Sequence, residues 1–179
     1  MRIIAGIAKG RRLVGPEGIG TRPMTDRVRE ALFSSLGDAV VGVEVLDLFA
    51  GSGSIGLEAL SRGAASVVFV ERGKAALRAL RRNVDHVGLG GNIVAADVER
   101  YLDGSETKVD LAFVDPPYAL SLASVQSVLR KLIPRLNTGA GVVVHRRAGT
   151  ENPAVDGFEL VDRRRYGDTV LWRLRKEDA

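Results

Sequence analysis

Two hydrophobic periods alternate along this chain. Short continuous apolar runs near 43–49, 66–71, 92–96, 109–114 and 140–145 have the character of strands buried on both faces. Between them, apolar residues recurring at helical spacing predict helices near 25–36, 55–62, 73–87 and 121–133. The clearest helix places Leu77, Leu80, Val84 and Val87 on one face, stops before Gly88, and leaves Arg78, Arg81 and Arg82 to solvent. In the first helix, Thr25 is the expected N-cap and Gly37 lies beyond the end. Such alternation gives an α/β fold with a mostly parallel sheet. Ahead of the first strand, residues 2–14 are short β-like pieces broken by Gly6 and Gly10, which predict a small hairpin. Pro16, Gly18 and Gly20 then mark a loop. Residues 157–163 and 169–175, joined through Tyr166-Gly167-Asp168, predict a closing hairpin that adds an antiparallel strand. There is no internal repeat and no low-complexity linker, so one domain is expected over 1–179, with 1–20 as an N-terminal extension.

Composition narrows the class. The chain has no cysteine and two histidines, which excludes a disulfide framework or thiolate metal site and leads to the expectation of no metal. No apolar run is long enough to cross a bilayer and the N-terminus is not of the signal type, so a cytoplasmic protein is expected. The net charge of +4 is unevenly placed. Residues 1–30 carry seven Arg or Lys against three acids, and residues 160–176 carry six against two, so the rest of the chain sums to −4. Basic ends flanking a neutral-to-acidic middle suit a polyanion held beside a pocket.

The chemistry gathers at strand ends. Val45-Leu46-Asp47-Leu48-Phe49 leads into Ala50-Gly51-Ser52-Gly53-Ser54-Ile55-Gly56 and then a helix. Read literally, this is a dinucleotide fingerprint, with Glu71 twenty residues past Gly51, so a nicotinamide dehydrogenase has to be weighed. Asp47 argues against it. A pyrophosphate needs the bare helix N-terminus, and a carboxylate beside it would repel the ligand. That acid suits a ligand carrying an ammonium and a sulfonium, as S-adenosylmethionine does. Glu71 is then the candidate for the ribose hydroxyls, and Asp97, after Asn92–Ala96, for the adenine amine. Open α/β sheets bind ligands outside the carboxyl ends of their strands, and four acids stand at such ends here: Asp47, Glu71, Asp97 and Asp115.

The fourth acid opens the most informative stretch, Asp115-Pro116-Pro117-Tyr118. Two prolines with fixed φ and no N–H make a stiff loop that presents carbonyls rather than donors. Asp115 and the Pro116 carbonyl can each accept one hydrogen of an –NH2 group, while Tyr118 offers a stacking face for the base that carries it.

The series Asp47-x-Phe49-x-Gly51-x-Gly53, Glu71, Asp97 and Asp115-Pro116-Pro117-Tyr118 resembles the class I S-adenosylmethionine-dependent methyltransferases, with a Rossmann-like fold, that act on base amino groups. The opening Arg2-Ile3-Ile4-Ala5-Gly6, Lys9-Gly10-Arg11-Arg12-Leu13 and the signature Thr21-Arg22-Pro23-Met24-Thr25-Asp26-Arg27-Val28-Arg29-Glu30-Ala31-Leu32-Phe33 are similar to the bacterial RsmD family. The closing Tyr166-Gly167-Asp168-Thr169-Val170-Leu171 fits it too. That resemblance implies methyl transfer to N2 of a guanine in 16S ribosomal RNA, within an assembled or assembling small subunit. It implies Asp115, Pro116 and Tyr118 as the catalytic loop. The cofactor contacts would be Asp47, Phe49, Gly51, Ser52, Gly53, Glu71 and Asp97, and Arg2, Lys9, Arg11, Arg12 and Arg22 would contact RNA. One departure stands out: where the strand Gly141-Val142-Val143-Val144 should end in an acid, the chain has His145-Arg146-Arg147. Two other readings stay open, a DNA adenine-N6 methyltransferase and a catalytically silent RNA-binding assembly factor.

Overall fold

Alternating periods become alternating elements in the computed structural model of the chain, which describes residues 1–18 and 24–178. The strands are β1 (Glu44–Leu48), β2 (Ser66–Glu71), β3 (Asn92–Ala95), β4 (Val109–Val114), β5 (Leu136–Arg147), β6 (Phe158–Tyr166) and β7 (Thr169–Lys176). The helices are α1 (Asp26–Leu36), α2 (Ser54–Ser61), α3 (Lys74–Val87), α4 (Val98–Gly104) and α5 (Leu122–Leu132). Gly20 and the start of the signature, Thr21-Arg22-Pro23, lie outside the described residues.

One sheet runs in the order β3-β2-β1-β4-β5-β7-β6, parallel from β3 to β5, with β7 antiparallel to both its neighbours. The expected closing hairpin forms, and its second strand inserts between β5 and the first. Strand order reverses between β1 and β4, where such sheets open a crevice at their carboxyl edge. Thr25 caps α1 by accepting from the Val28 N–H, and Gly88 ends α3 in a left-handed conformation, as its sequence requires. Helix α4 was not expected from periodicity. It spans seven residues, too few for a helical pattern to show, although Asp97 before Glu99 is a fair N-terminal signal. Strand β5 begins earlier than its apolar run, because Asn137, Thr138 and Gly139 read as loop residues.

Alternation along each strand divides the core in two. Val45, Leu111, Phe113, Val143 and Leu171 pack with α1, α2 and α3 on one face, while Leu46, Leu48, Ala112, Val114, Val144 and Trp172 pack with α4 and α5 on the other. The same alternation carries Asp47, Asp115, His145 and Thr169 to the α1 side. Four polar residues from four adjacent strands therefore share one face at one edge.

The N-terminal segment folds back on itself as a minimal hairpin, with one antiparallel bridge, Arg2 with Arg12, among its described residues. The Ile3, Gly10 and Leu13 N–H groups donate across it to the carbonyls of Arg11, Ile3 and Met1. This hairpin is bolted to α2 and α3. Glu58, fully buried on α2, accepts from the Ile4 N–H at 2.8 Å and the Ala5 N–H at 3.0 Å. Its carboxylate also meets Arg62 Nε at 2.8 Å and Arg29 Nε at 3.7 Å. Ser61 Oγ donates to the Ala5 carbonyl and accepts from the Ala8 N–H. At Gly6 (φ 82°), an added Cβ would lie 1.7 Å from the Ser61 carbonyl oxygen, so only glycine allows this approach. Ile3, Ala8 and Leu13 are core residues. Arg29, part of the signature, is fully buried, and burial pulls its pKa down against the opposing pull of Asp26 and Glu58.

Removing one partner of a buried ion pair strands the other, at a cost of about 3–5 kcal/mol. Glu58→Ala is expected to lower stability by about that much in denaturant melts, because Arg29 and two N–H groups lose their acceptor together. A loss below about 1 kcal/mol would mean that Glu58 does not hold the segment.

Candidate active site

The turn after β1 is held from behind. Gly51 (φ 57°) and Gly53 (φ 80°) take left-handed conformations, and so does Phe49 (φ 60°), which a bulky residue rarely adopts. Glu71 Oε2 accepts from the Gly51 N–H at 2.8 Å, and Asp47 Oδ2 accepts from the Gly56 N–H at 3.0 Å. Asn83 on α3 donates to the Ser52 carbonyl and exchanges hydrogen bonds with Val14 in both directions, tying the turn to the N-terminal segment. Asp47 is 1% exposed, and its Oδ1 has no partner. Its pKa is pushed up to about 8, first by burial and then by the charges of Asp115 and Glu71, against the Gly56 hydrogen bond. Three carboxyl groups thus converge on the glycine turn. Such a site favours a cation and opposes a pyrophosphate.

The Asp115 loop adjoins that turn because Leu48 pairs with Val114, and the Asp115 N–H reaches the Leu48 carbonyl at 3.3 Å. Val144 pairs with Val114 in turn, which puts His145 beside Asp115. His145 Nδ1 lies 2.6 Å from Asp115 Oδ1, and His145 Nε2 lies 2.9 Å from Thr169 Oγ1. Thr169 Oγ1 is 2.8 Å from the Tyr118 hydroxyl, whose ring stands edge-on to the imidazole. On the other face, the buried Arg146 donates to the carbonyls of Pro117 (3.3 Å) and Leu120 (2.6 Å). Burial lowers its pKa, opposed by Tyr118 and Asp115. The Pro117 carbonyl also accepts from the Leu120 N–H. Asp115 Oδ2 and the Pro116 carbonyl have no hydrogen-bond partner among the described residues. Tyr118 is 40% exposed.

The remaining candidates are placed less simply. Asp97 caps α4 with Oδ1, accepting from Glu99 and Arg100, and its Oδ2 pairs with Arg72 at 3.0 Å. Gly53 has a left-handed φ of 80°, and a Cβ there would also press on Leu80 Cδ1 at 2.4 Å, so backbone conformation and core packing both favour glycine. At Gly51 a Cβ would meet nothing closer than 4.0 Å, and the open space lies there. Arg2, Lys9, Arg11 and Arg12 are exposed, but Arg11 Nη1 donates to the Val87 carbonyl and ends up anchoring the segment to α3. Arg22 lies outside the described residues. His145 and Thr169 went unassigned from sequence, although both stood in stretches already singled out: the missing acid after β5 and the Tyr166–Leu171 motif.

A family model described as Conserved hypothetical protein 95 matches residues 1–175. The chain is 34% identical over 180 residues to the ribosomal RNA small subunit methyltransferase D of Escherichia coli K12, an alignment covering 100% of this chain and 91% of that protein. It resembles the solved structure of the putative methyltransferase yhhF from Escherichia coli with a TM-score of 0.88 at 33% identity, over 100% of this chain and 99% of that one. A putative SAM-dependent methyltransferase from Streptococcus mutans has a TM-score of 0.73 over 87% of this chain and 50% of that chain; at 15% identity that likeness shows the fold alone.

The raised pKa of Asp47 has a signed consequence for stability. The folded protein holds the proton more tightly than the unfolded chain, so Asp47's contribution is fully present below about pH 4 and is lost as pH rises towards about 8. Asp47→Asn keeps an acceptor for Gly56 and removes the titration. The variant is therefore expected to gain on the wild type between about pH 4 and about pH 8, and to level off above that, in thermal melts of the ligand-free protein. A difference that does not change with pH would show that Asp47 does not titrate in this range.

Proposed function

From the premise that the chain belongs to the RsmD family, we propose that it transfers a methyl group from S-adenosylmethionine to the exocyclic N2 amine of a guanine in 16S ribosomal RNA. One observation carries the reading. In a loop whose Pro117 carbonyl is engaged twice, Asp115 Oδ2 and the carbonyl of the next residue, Pro116, are acceptors without donors among the described residues. Two acceptors on consecutive residues match the two hydrogens of an –NH2 group. An arylamine lone pair is delocalised into its ring. Accepting both N–H bonds outside the ring plane favours the pyramidal nitrogen that attack requires. An N–C bond formed from that lone pair would replace the methyl's bond to the cofactor sulfur, which keeps the bonding pair. The nitrogen would then have to shed one proton, for which Asp115 is the base at hand.

S-adenosylmethionine, when bound, supplies an electrophilic methyl on a positively charged sulfur. The carboxyls of Asp47, Glu71 and Asp115 around the glycine turn fit that charge. Phe49, Gly51, Ser52 and Gly53 form the turn against which the cofactor would lie, Glu71 would take its ribose, and Asp97 its adenine amine. The guanine has to leave its stack to reach Asp115, and the exposed Tyr118 ring offers a replacement contact worth about 1–3 kcal/mol. Lys9 and Arg12 at one end of the chain and Arg163, Arg164 and Arg165 on the edge strand β6 are exposed cations suited to RNA phosphates. An assembled or assembling small subunit is the proposed substrate.

Transfer of tritiated methyl from labelled cofactor should occur to small ribosomal subunits and not to DNA, with the label recovered as N2-methylguanine. Asp115→Ala should reduce turnover about 100-fold or more while calorimetry shows cofactor binding within about threefold of wild type. Label recovered in adenine, or normal turnover by the variant, would overturn the assignment.

Because residues 1–14 are built into the core, deleting them would unfold the cofactor turn along with any RNA surface. The separable test is Lys9→Glu with Arg12→Glu. This double variant should melt like wild type and bind cofactor normally. Its RNA affinity should fall less steeply with salt, because each lost phosphate contact removes about one unit of slope. An unchanged slope would move RNA docking to the β6 arginines.

A further inference from the structure

We propose that His145 is the positioning residue that fixes Asp115 for the target amine and couples Tyr118 to it, through Thr169. The proposal rests on the reading of Asp115 as the amine acceptor. An ionised carboxylate can only accept, so the 2.6 Å contact requires the proton on His145 Nδ1. Nε2 can then accept from the Thr169 hydroxyl, and Thr169 from Tyr118. In that arrangement the row runs in one direction, from the stacking ring to Asp115 Oδ1. His145 is 3% exposed and Thr169 6%, so both are held by packing against the sheet rather than by solvent.

Geometry makes this more than a core contact. Asp115 follows the last residue of β4 and precedes two prolines, so its own loop offers few N–H groups to orient it. His145 binds Oδ1, and among the described residues nothing engages Oδ2. One oxygen is fixed so that the other can work. An acid at 145, expected at this strand end, would place a second acceptor against Asp115. The histidine supplies a donor there instead.

Two variants separate the halves of the row. In Asn the amide NH2 sits near the Nδ1 position, and in Gln near Nε2. His145→Asn should keep the donor to Asp115 and retain about a third of wild-type kcat. His145→Gln should keep the Thr169 side, lose Asp115, and drop kcat by about 30-fold with cofactor affinity and KM for subunits nearly unchanged. Thr169→Val should have an effect of only a few-fold. Melting temperatures establish that each variant is folded. Independently of any substrate, the wild type should show a downfield imidazole N–H resonance in proton NMR that disappears in Asp115→Ala. Equal kcat in the Asn and Gln variants, or no such resonance, would overturn the proposal. A wild type with that resonance but no methyl transfer to subunits would support the anchor and sink the functional reading.

Discussion

Parallel register between β1, β4 and β5 is the constraint on which the site depends. Leu48, Val114 and Val144 lie side by side, so the residues just beyond them, Phe49, Asp115 and His145, leave the sheet at one level. Thr169 arrives from the opposite direction on β7, two residues from the partner of His145, within diagonal reach on the same face. A slip of one residue in β4 would turn Asp115 under α5, into the cluster of Val114, Val125 and Leu129. The same slip would exchange Phe113 and Leu111 for the smaller Ala112 on the α1 side, where the Phe33 ring packs tilted against Phe113 with centroids 5.7 Å apart. Burial of each large apolar side chain contributes about 1.5–3 kcal/mol, so the apolar pattern enforces the register and the register assembles the polar row.

A second constraint comes from ahead of the sheet. The chain before α1 is fastened by one carboxylate, Glu58, and one amide, Asn83, and that amide also grips the glycine turn at Ser52. Buried ion pairs such as Arg29 with Glu58 add little net stability compared with apolar replacements. What this pair does is specify geometry, since Glu58 has to satisfy two N–H groups and two guanidinium groups at once. A segment that looks like a detachable basic arm is in this way part of the scaffold behind the cofactor turn.

Much of this was legible in the sequence. The strands were placed within a few residues, because short continuous apolar runs stand out when glycine turns and helical spacing separate them. The acids at their ends followed from fold logic. What sequence could not show was which side of an acid is occupied. Asp97 reads as a free strand-end carboxylate, yet it caps α4 and pairs with Arg72. Gly53 reads as a ligand-facing glycine, and its left-handed φ and the nearby Leu80 add a conformational and a packing reason for it. Arg29 reads as one cation among several in a basic segment, and it is wholly buried. Each of these depends on a partner far away in sequence, and periodicity carries no information about such partners.

The Asp115 loop shows why its donors have to come from elsewhere. Two consecutive prolines remove two N–H groups from a turn that still has its full set of carbonyls, in addition to the carboxylate. Unpaired acceptors at a buried strand end are costly, so the neighbouring strand must supply hydrogens. Strand β5 does so with consecutive residues of opposite facing: His145 donates to Asp115 on the α1 side, and Arg146 donates to Pro117 and Leu120 on the other. Among the described residues no donor reaches Asp115 Oδ2 or the carbonyl of the next residue, Pro116. A loop stiffened by proline that keeps two such acceptors on consecutive residues is preorganised for a ligand with two hydrogens on one atom. The basic pair at the end of β5, which looked like a departure from an acidic pattern, is therefore what the acceptor-rich loop requires of the strand beside it.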